Sequence, residues 1–70
     1  QKYHQLISED PQLKKIVVAL YHEKGNVSSA AKKLYLHRNT LQYRIDRLRQ
    51  DTGLNLRRMD DLVFCYLMLQ

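Results

Sequence analysis

Residues 30–45 read AAKKLYLHRNTLQYRI, a short helical segment, a tight turn and the first half of a second helix. Ala31, Leu36 and Leu41 follow the small–apolar–apolar spacing of a helix-turn-helix. The second helix carries Arg, Asn, Thr, Gln and Tyr on its outer side, and such side chains hydrogen-bond base edges and phosphates in the major groove of DNA. The stretch therefore predicts binding to double-stranded DNA. An ordinary helical hairpin with an alanine-rich contact is the alternative interpretation.

The charge of the chain is concentrated around this stretch. The net charge is +5, but residues 32–58 hold eight basic side chains against two acidic ones, a surplus of six. The rest of the chain holds four basic against five acidic side chains, a deficit of one. A basic excess confined to one segment is typical of a surface that binds a polyanion. A solvated basic helix without a ligand is the alternative.

Hydrophobic periodicity divides the chain into helices. Asp10 and Pro11 predict the start of a helix. The carboxylate can accept the free backbone N–H groups of the first turn, and proline at the first helical position loses no hydrogen bond. Gly25 is expected to end that helix in the left-handed conformation, and Asn26 or Ser28 can cap the next one. We therefore predict an all-α fold, a small helical bundle that contains a helix-turn-helix and no wing. Residues 1–9 are expected to be the end of a linker or a short helix, and residues 10–70 a DNA-binding domain. The expected helices of this domain are a packing helix without chemistry of its own (10–25), a first motif helix (28–34), a recognition helix (37–52) and an apolar C-terminal helix (59–69).

The recognition helix has one apolar and one polar side. At about 100° per residue, Leu41, Ile45 and Leu48 cluster within about 60° and should face the core. Because such helices enter the groove N-terminus first, the base-reading candidates are His37, Arg38, Asn39, Gln42 and Tyr43. The phosphate-binding candidates are Ser28, Ser29, Lys33, Thr40, Arg44 and Arg47.

For two of these candidates, His37 and Tyr43, a structural role is a serious alternative to contact with a base. The imidazole of His37 can cap the helix instead of contacting a base. The ring of Tyr43 can pack between the helices while its hydroxyl meets a phosphate.

Residues 62–69 are apolar on every side of the expected last helix. A helix of this kind is normally buried all round, but a domain within a chain of 70 residues cannot enclose it. One side should pack on the core, with Cys65 as a buried, inert thiol. The other side should meet a second copy or a preceding region, and we expect a homodimer in the full-length protein.

Nothing in the chain predicts a membrane or secreted protein. The apolar run of eight residues is far below the roughly 20 needed to span a bilayer. The chain does not begin with Met and has no signal-peptide pattern. We therefore expect part of a larger, cytoplasmic protein.

The string His37-Arg38-Asn39-Thr40-Leu41, followed by Tyr43-Arg44, is a specific signature. With it, residues 25–69 resemble the C-terminal DNA-binding domain of PucR-type bacterial transcription regulators, a group that includes sugar-diacid and purine-catabolism regulators. The Arg-Asn-Thr-Leu part is also similar to the Fis-type helix-turn-helix. The resemblance implies a regulator whose effector-sensing region precedes this domain. It is also carried by Asn26-Val27, Ala30-Ala31, Leu34, Gly53-Leu54 and the apolar tail.

Two residues depart from the general helix-turn-helix pattern. Tyr35 occupies the turn position where glycine is common, which predicts a turn that is less left-handed than usual. Arg44 stands where an apolar residue is often found, with Ile45 in the core one step later, which predicts a rotated second helix.

Other function classes fit the sequence less well. The histidines and Cys65 show neither metal-ligand spacing nor a nucleophile–base arrangement, so we predict no enzyme, no catalytic residues, no metal and no cofactor. RNA binding usually needs stacking aromatics, and only Tyr43 is well placed. The main alternative is a helical protein-interaction or dimerisation module that does not read DNA.

Overall fold

The computed structural model of the protein describes residues 10–69. They form four helices: α1 (Pro11–His22), α2 (Val27–Lys33), α3 (Arg38–Thr52) and α4 (Met59–Met68). No strand occurs within this part of the chain. The predicted all-α fold is confirmed. The expectation for residues 1–9 lies outside the described residues.

Side chains cap the N-termini of α1 and α2. Asp10 Oδ1 accepts the backbone N–H groups of Gln12 and Leu13 at 3.1 and 3.2 Å. Asn26 Oδ1 accepts the N–H of Ser29 at 3.0 Å. Each cap satisfies donors that a helix start leaves without an intrahelical acceptor. Because Asn26 is the cap, α2 begins one residue earlier than the sequence predicted.

The end of α1 differs from the expectation that Gly25 closes it. The helix ends at His22, and Lys24 takes the left-handed position with φ +57°. The N–H of Gly25 then bonds to the carbonyl oxygen of Leu20 at 2.8 Å, as in a Schellman motif. Gly25 follows with φ +84°, so two consecutive left-handed residues turn the chain. The first of the two is Lys24 and not the glycine that the sequence predicted.

The turn between α2 and α3 closes in the same way at Tyr35. Its φ is +57°, so the expectation of a less left-handed turn was wrong. The N–H of Leu36 bonds to the carbonyl oxygen of Ala31 at 2.9 Å, and this closing bond requires a left-handed residue before it. The Tyr35 side chain is 96% exposed, so the closing hydrogen bond and not side-chain packing holds this conformation.

The core is one cluster of apolar side chains shared by all four helices. Leu41, Ile45 and Leu48 are buried, so α3 sits on its predicted apolar stripe and Arg44 lies half-buried at the edge. Leu56, in the connection between α3 and α4, is completely buried as well, although the periodicity of the helices gives no sign of it.

The last helix, α4, packs chiefly on α1. The ring of Tyr66 stacks on Tyr21 with centroids 3.7 Å apart and planes 5° from parallel. Leu62 is buried on the same side, whereas Phe64 and Leu67 are 44% and 63% exposed. One side of α4 therefore belongs to the core and the other forms an apolar surface.

Candidate nucleic-acid interface

His37 fixes the start of α3. Its imidazole Nδ1 accepts the backbone N–H of Asn39 at 3.0 Å, and its own backbone is extended, as at an N-cap. Because Nδ1 accepts this bond, the ring proton lies on Nε2. Of the two roles considered for His37, the structure shows the cap. Contact between Nε2 and a base stays a prediction.

The side chains predicted to read bases lie within the first two turns of α3. All are exposed except Gln42, which is half-buried. The Gln42 amide donates to Asp46 Oδ1 at 3.0 Å, which fixes the amide and leaves its carbonyl oxygen available. Asp46 thereby adds a carboxylate to this surface. The set comprises His37, Arg38, Asn39, Gln42 and Tyr43.

Arg47 lies one turn after Tyr43 and is oriented by two neighbours. Its Nε lies 3.4 Å from Asp51 Oδ2, and its guanidinium lies beside the Tyr43 side chain. Both neighbours raise the pKa of Arg47, Tyr43 more than the Asp51 carboxylate. Tyr43 is 63% exposed, so its ring does not pack between the helices. The pair presents a permanent positive charge beside a hydroxyl.

Arg44 occupies a different position from Arg47, against the start of α1. Its Nη1 donates to Gln12 Oε1 at 2.7 Å, and its Nε is covered and has no hydrogen-bond partner. Sequence reasoning missed Gln12, because the contact joins residues 32 apart and no local pattern reports it. The two arginines and Tyr43 line the same cleft of about 270 Å³ between α1 and α3.

The other phosphate-binding candidates do not form one cluster. Ser28 is exposed and Ser29 half-buried on the first turn of α2, and Thr40 is exposed on the first turn of α3. Lys33 lies at the opposite end of α2, where its Nζ is 3.1 Å from Glu23 Oε2. Since the lysine side chain is 61% exposed, this ion pair is weak and leaves Lys33 free to exchange partners.

Metal ligands, a membrane-spanning helix and a reactive thiol are the other features that bear on the function of the described residues. Between residues 10 and 69, no three His, Cys, Asp or Glu side chains come together in a way that could hold a metal ion. No helix of that same region has the length and apolar character needed to cross a membrane. Cys65 is buried, and the loss of solvent raises its pKa to about 11, so the thiol is protonated at neutral pH.

Comparison with known proteins gives one family and several relatives. Residues 13–70 match the model of the PucR C-terminal helix-turn-helix domain. A "Leucine-rich protein" of Streptococcus dysgalactiae subsp. equisimilis is 42% identical over 99% of this chain and 24% of its own length. A "Carbohydrate diacid regulator" of Escherichia coli (strain K12) is 36% identical over 83% of this chain and 15% of its own length.

A third relative is the protein YxkF of Bacillus subtilis (strain 168), which is 34% identical over 87% of this chain and 20% of its own length. The chain thus spans about a quarter or less of the curated relatives it matches. No solved structure matches it.

Proposed function

This chain belongs to the PucR C-terminal helix-turn-helix domain family, and from that membership we propose that it binds double-stranded DNA sequence-specifically as the output domain of a bacterial transcription regulator. The observation that carries the proposal is the seating of α3. Its apolar stripe is buried while its polar, cationic side stays in solvent. A helix seated in this way enters the major groove without losing its contacts to the core.

In this proposal the N-terminal half of α3 reads base edges. The guanidinium of Arg38 suits the O6 and N7 acceptors of guanine, and the amides of Asn39 and Gln42 suit the N6 and N7 groups of adenine. Tyr43 and the Nε2 of His37 supply further donors at the same surface. The hydrogen bond from Gln42 to Asp46 supports the proposal, because it fixes an amide that would otherwise rotate.

Backbone phosphates are contacted from both sides of α3. Arg44, Arg47 and Thr40 are the contacts on α3 itself, and Ser28, Ser29 and Lys33 are those on α2. The pairing of Arg47 with Tyr43 supports a phosphate role, since a phosphate then meets a charge and a hydroxyl together. Each phosphate neutralised releases counterions, so binding should weaken steeply as salt rises.

The remainder of the proposal concerns the whole regulator. We infer that an effector-sensing region precedes this domain and that the protein acts in the cytoplasm, where the chromosome is. We also infer that the domain has no enzymatic activity and needs no cofactor. The name of the Escherichia coli relative supports only the role of a regulator. Two copies would place two α3 helices on half-sites about one helical turn apart or a multiple of it.

The exposed side of α4 favours a second candidate function, a protein-interaction or dimerisation module. Phe64 and Leu67 are large, apolar and exposed on the same helix, and such side chains often mark contact surfaces. Sedimentation of the full-length regulator with and without Phe64→Glu tests this surface. If α4 forms the dimer, the variant sediments as a monomer at concentrations where the parent is a dimer.

Selection from random duplexes tests the proposed reading of bases. Arg38→Ala and Asn39→Ala should each relax the preference at particular positions of the selected site, since one bidentate contact discriminates by about 1–3 kcal/mol. Arg47→Ala should instead weaken binding to all duplexes about equally. Arg58→Ala is the charge-matched control, because Arg58 pairs with Asp60 at the start of α4.

The outcomes separate the candidate functions. A variant of Arg38 or Asn39 that selects the same site with the same stringency as the parent removes that residue from the base-reading set. Two results together would indicate nonspecific electrostatic binding. The parent protein would enrich no sequence, and Arg58→Ala would lose as much affinity as Arg47→Ala. In that event the interaction module becomes the better proposal.

A further inference from the structure

The start of α1 is joined to the middle of α3 by a side-chain hydrogen bond. Arg44 Nη1 donates to Gln12 Oε1 at 2.7 Å. Gln12 lies on the first turn of α1, whose backbone is fixed by proline at the first helical position and by the Asp10 carboxylate, which accepts the Gln12 N–H. The acceptor that Gln12 offers to Arg44 is therefore presented from a well-anchored position.

This hydrogen bond leaves one edge of the Arg44 guanidinium without a protein partner. Nη1 is the nitrogen on the same side as Cδ, so the opposite edge consists of Nε and Nη2. Nε is covered by neighbouring atoms and has no hydrogen-bond partner. Buried donors of charged groups are rarely left without an acceptor. Nη2, on the same edge, has no partner among the described residues and is not covered.

The nitrogens of a guanidinium are strong donors to the oxygens of an oxyanion, and Nη2 is the one that Gln12 leaves open in Arg44. Arg44 lines the cleft of about 270 Å³ between α1 and α3, together with Tyr43 and Arg47. Asp10 and Asp51 line the cleft too, but Asp10 accepts two backbone N–H groups and Asp51 pairs with Arg47. Among residues 10–69, Arg44 forms no ion pair with a carboxylate.

From these contacts we infer that Gln12 is a positioning residue that turns Arg44 so that its Nη2 receives a phosphate of the DNA backbone, directly or through one bridging water. The inference rests on the proposed function. It gives α1 a part in DNA binding, whereas the sequence predicted only packing. A neutral amide suits this task, because it orients the guanidinium without neutralising the charge that the phosphate needs.

Replacing Gln12 with glutamate separates this role from a structural one. In Gln12→Glu a carboxylate takes the place of the amide oxygen and forms an ion pair with Arg44, so the thermal midpoint should stay the same or rise. The pair neutralises Arg44, so affinity for duplex DNA at about 0.1 M salt should fall about tenfold, and the slope of log affinity against log salt should flatten by about 0.9.

Two further variants complete the set. Gln12→Met keeps the length of the side chain and removes the acceptor, so it should weaken DNA binding without adding a charge. Lys14→Gln changes the net charge by the same amount as Gln12→Glu but lies on the opposite side of α1 by the helical periodicity. It should leave the salt slope unchanged.

The Arg44 Nε–H signal in an NMR titration with duplex DNA is an independent readout. It should shift in the parent protein and not in Gln12→Glu. If the parent binds DNA and Gln12→Glu retains its affinity, its salt slope and the shift, the role of Gln12 is overturned and the proposed function stands. If the parent does not bind duplex DNA at all, both are overturned.

Discussion

Replacing His37 with alanine removes the side-chain acceptor that caps the N-terminus of α3. The Asn39 N–H, which now donates to His37 Nδ1 at 3.0 Å, would lose its partner. Loss of an N-cap acceptor costs about 1 kcal/mol, within a range of about 0.5–2 kcal/mol. The exposed side chains of Arg38 and Asn39 offer no packing to compensate, and the first buried residue of α3 is Leu41. We therefore expect His37→Ala to fray the turn that carries the proposed base contacts.

Two matched variants separate capping from base contact. His37→Asn restores an oxygen acceptor at the cap and should recover the stability lost in His37→Ala. His37→Asp caps as well and adds about 0.3–1 kcal/mol through the helix dipole. The aspartate also places a negative charge at the proposed DNA surface, so this variant should be at least as stable as the parent and bind DNA more weakly.

Equilibrium urea unfolding measures these differences, and amide hydrogen exchange at Asn39 reports the cap directly. For a domain of this size, a loss of about 1 kcal/mol lowers the thermal midpoint by about 4–8 °C. The capping argument is refuted if His37→Ala unfolds at the same urea concentration as the parent and the Asn39 amide keeps its protection. If His37→Asn is as stable as the parent but selects a different DNA site, His37 also reads a base.

Three further predictions concern the rest of the fold. Tyr35→Gly should raise stability by up to about 1 kcal/mol in thermal unfolding, because it relieves a left-handed residue whose side chain is 96% exposed; a lower midpoint would contradict this. Native Cys65 should resist a thiol reagent at pH 8 and react once the protein is unfolded in urea, since burial raises the pKa of the thiol to about 11. The free energy of unfolding should also decline as the pH rises from the ordinary pKa of a thiol toward 11, because the thiol of the unfolded chain ionises first. Leu56→Ala should lower the urea-unfolding free energy by about 2–5 kcal/mol, and a loss below about 1 kcal/mol would show that Leu56 is not part of the core.

The core of the recognition helix could be predicted because it depends on local periodicity. Leu41, Ile45 and Leu48 recur at the helical spacing, and all three are buried. The buried Leu56 could not be found in this way, since it lies in a connection between helices and only the tertiary fold places it in the core.

The turns were predicted less well because the residue type was given too much weight. Gly25 was expected to close α1, but the closing hydrogen bonds place Lys24 in the left-handed position first. Tyr35 was expected to resist that conformation, yet it adopts the same φ of +57°. The backbone bonds of each turn outweigh the cost of about 1–2 kcal/mol that a non-glycine residue pays there.

The candidate site could be predicted only in part, because some of its contacts depend on how the helices pack. The polar side of α3 follows from the sequence, and its exposed residues lie there in the structure. The choice of His37 as the cap and the contact between Gln12 and Arg44 depend on side-chain geometry and on helix packing. No spacing rule reports a contact between residues 32 apart.

The most direct test of the central claim, that α3 reads double-stranded DNA, is equilibrium binding to the duplex obtained by selection and to a scrambled duplex of the same composition, at salt concentrations from about 50 to 200 mM. If about four to six phosphates are contacted per domain, log affinity should fall with a slope of about −4 to −5 against log salt for the selected duplex. The selected duplex should also bind more tightly than the scrambled one by at least about 1 kcal/mol at every salt concentration. Equal affinity for the two duplexes, or no binding at the lowest salt, would contradict the claim.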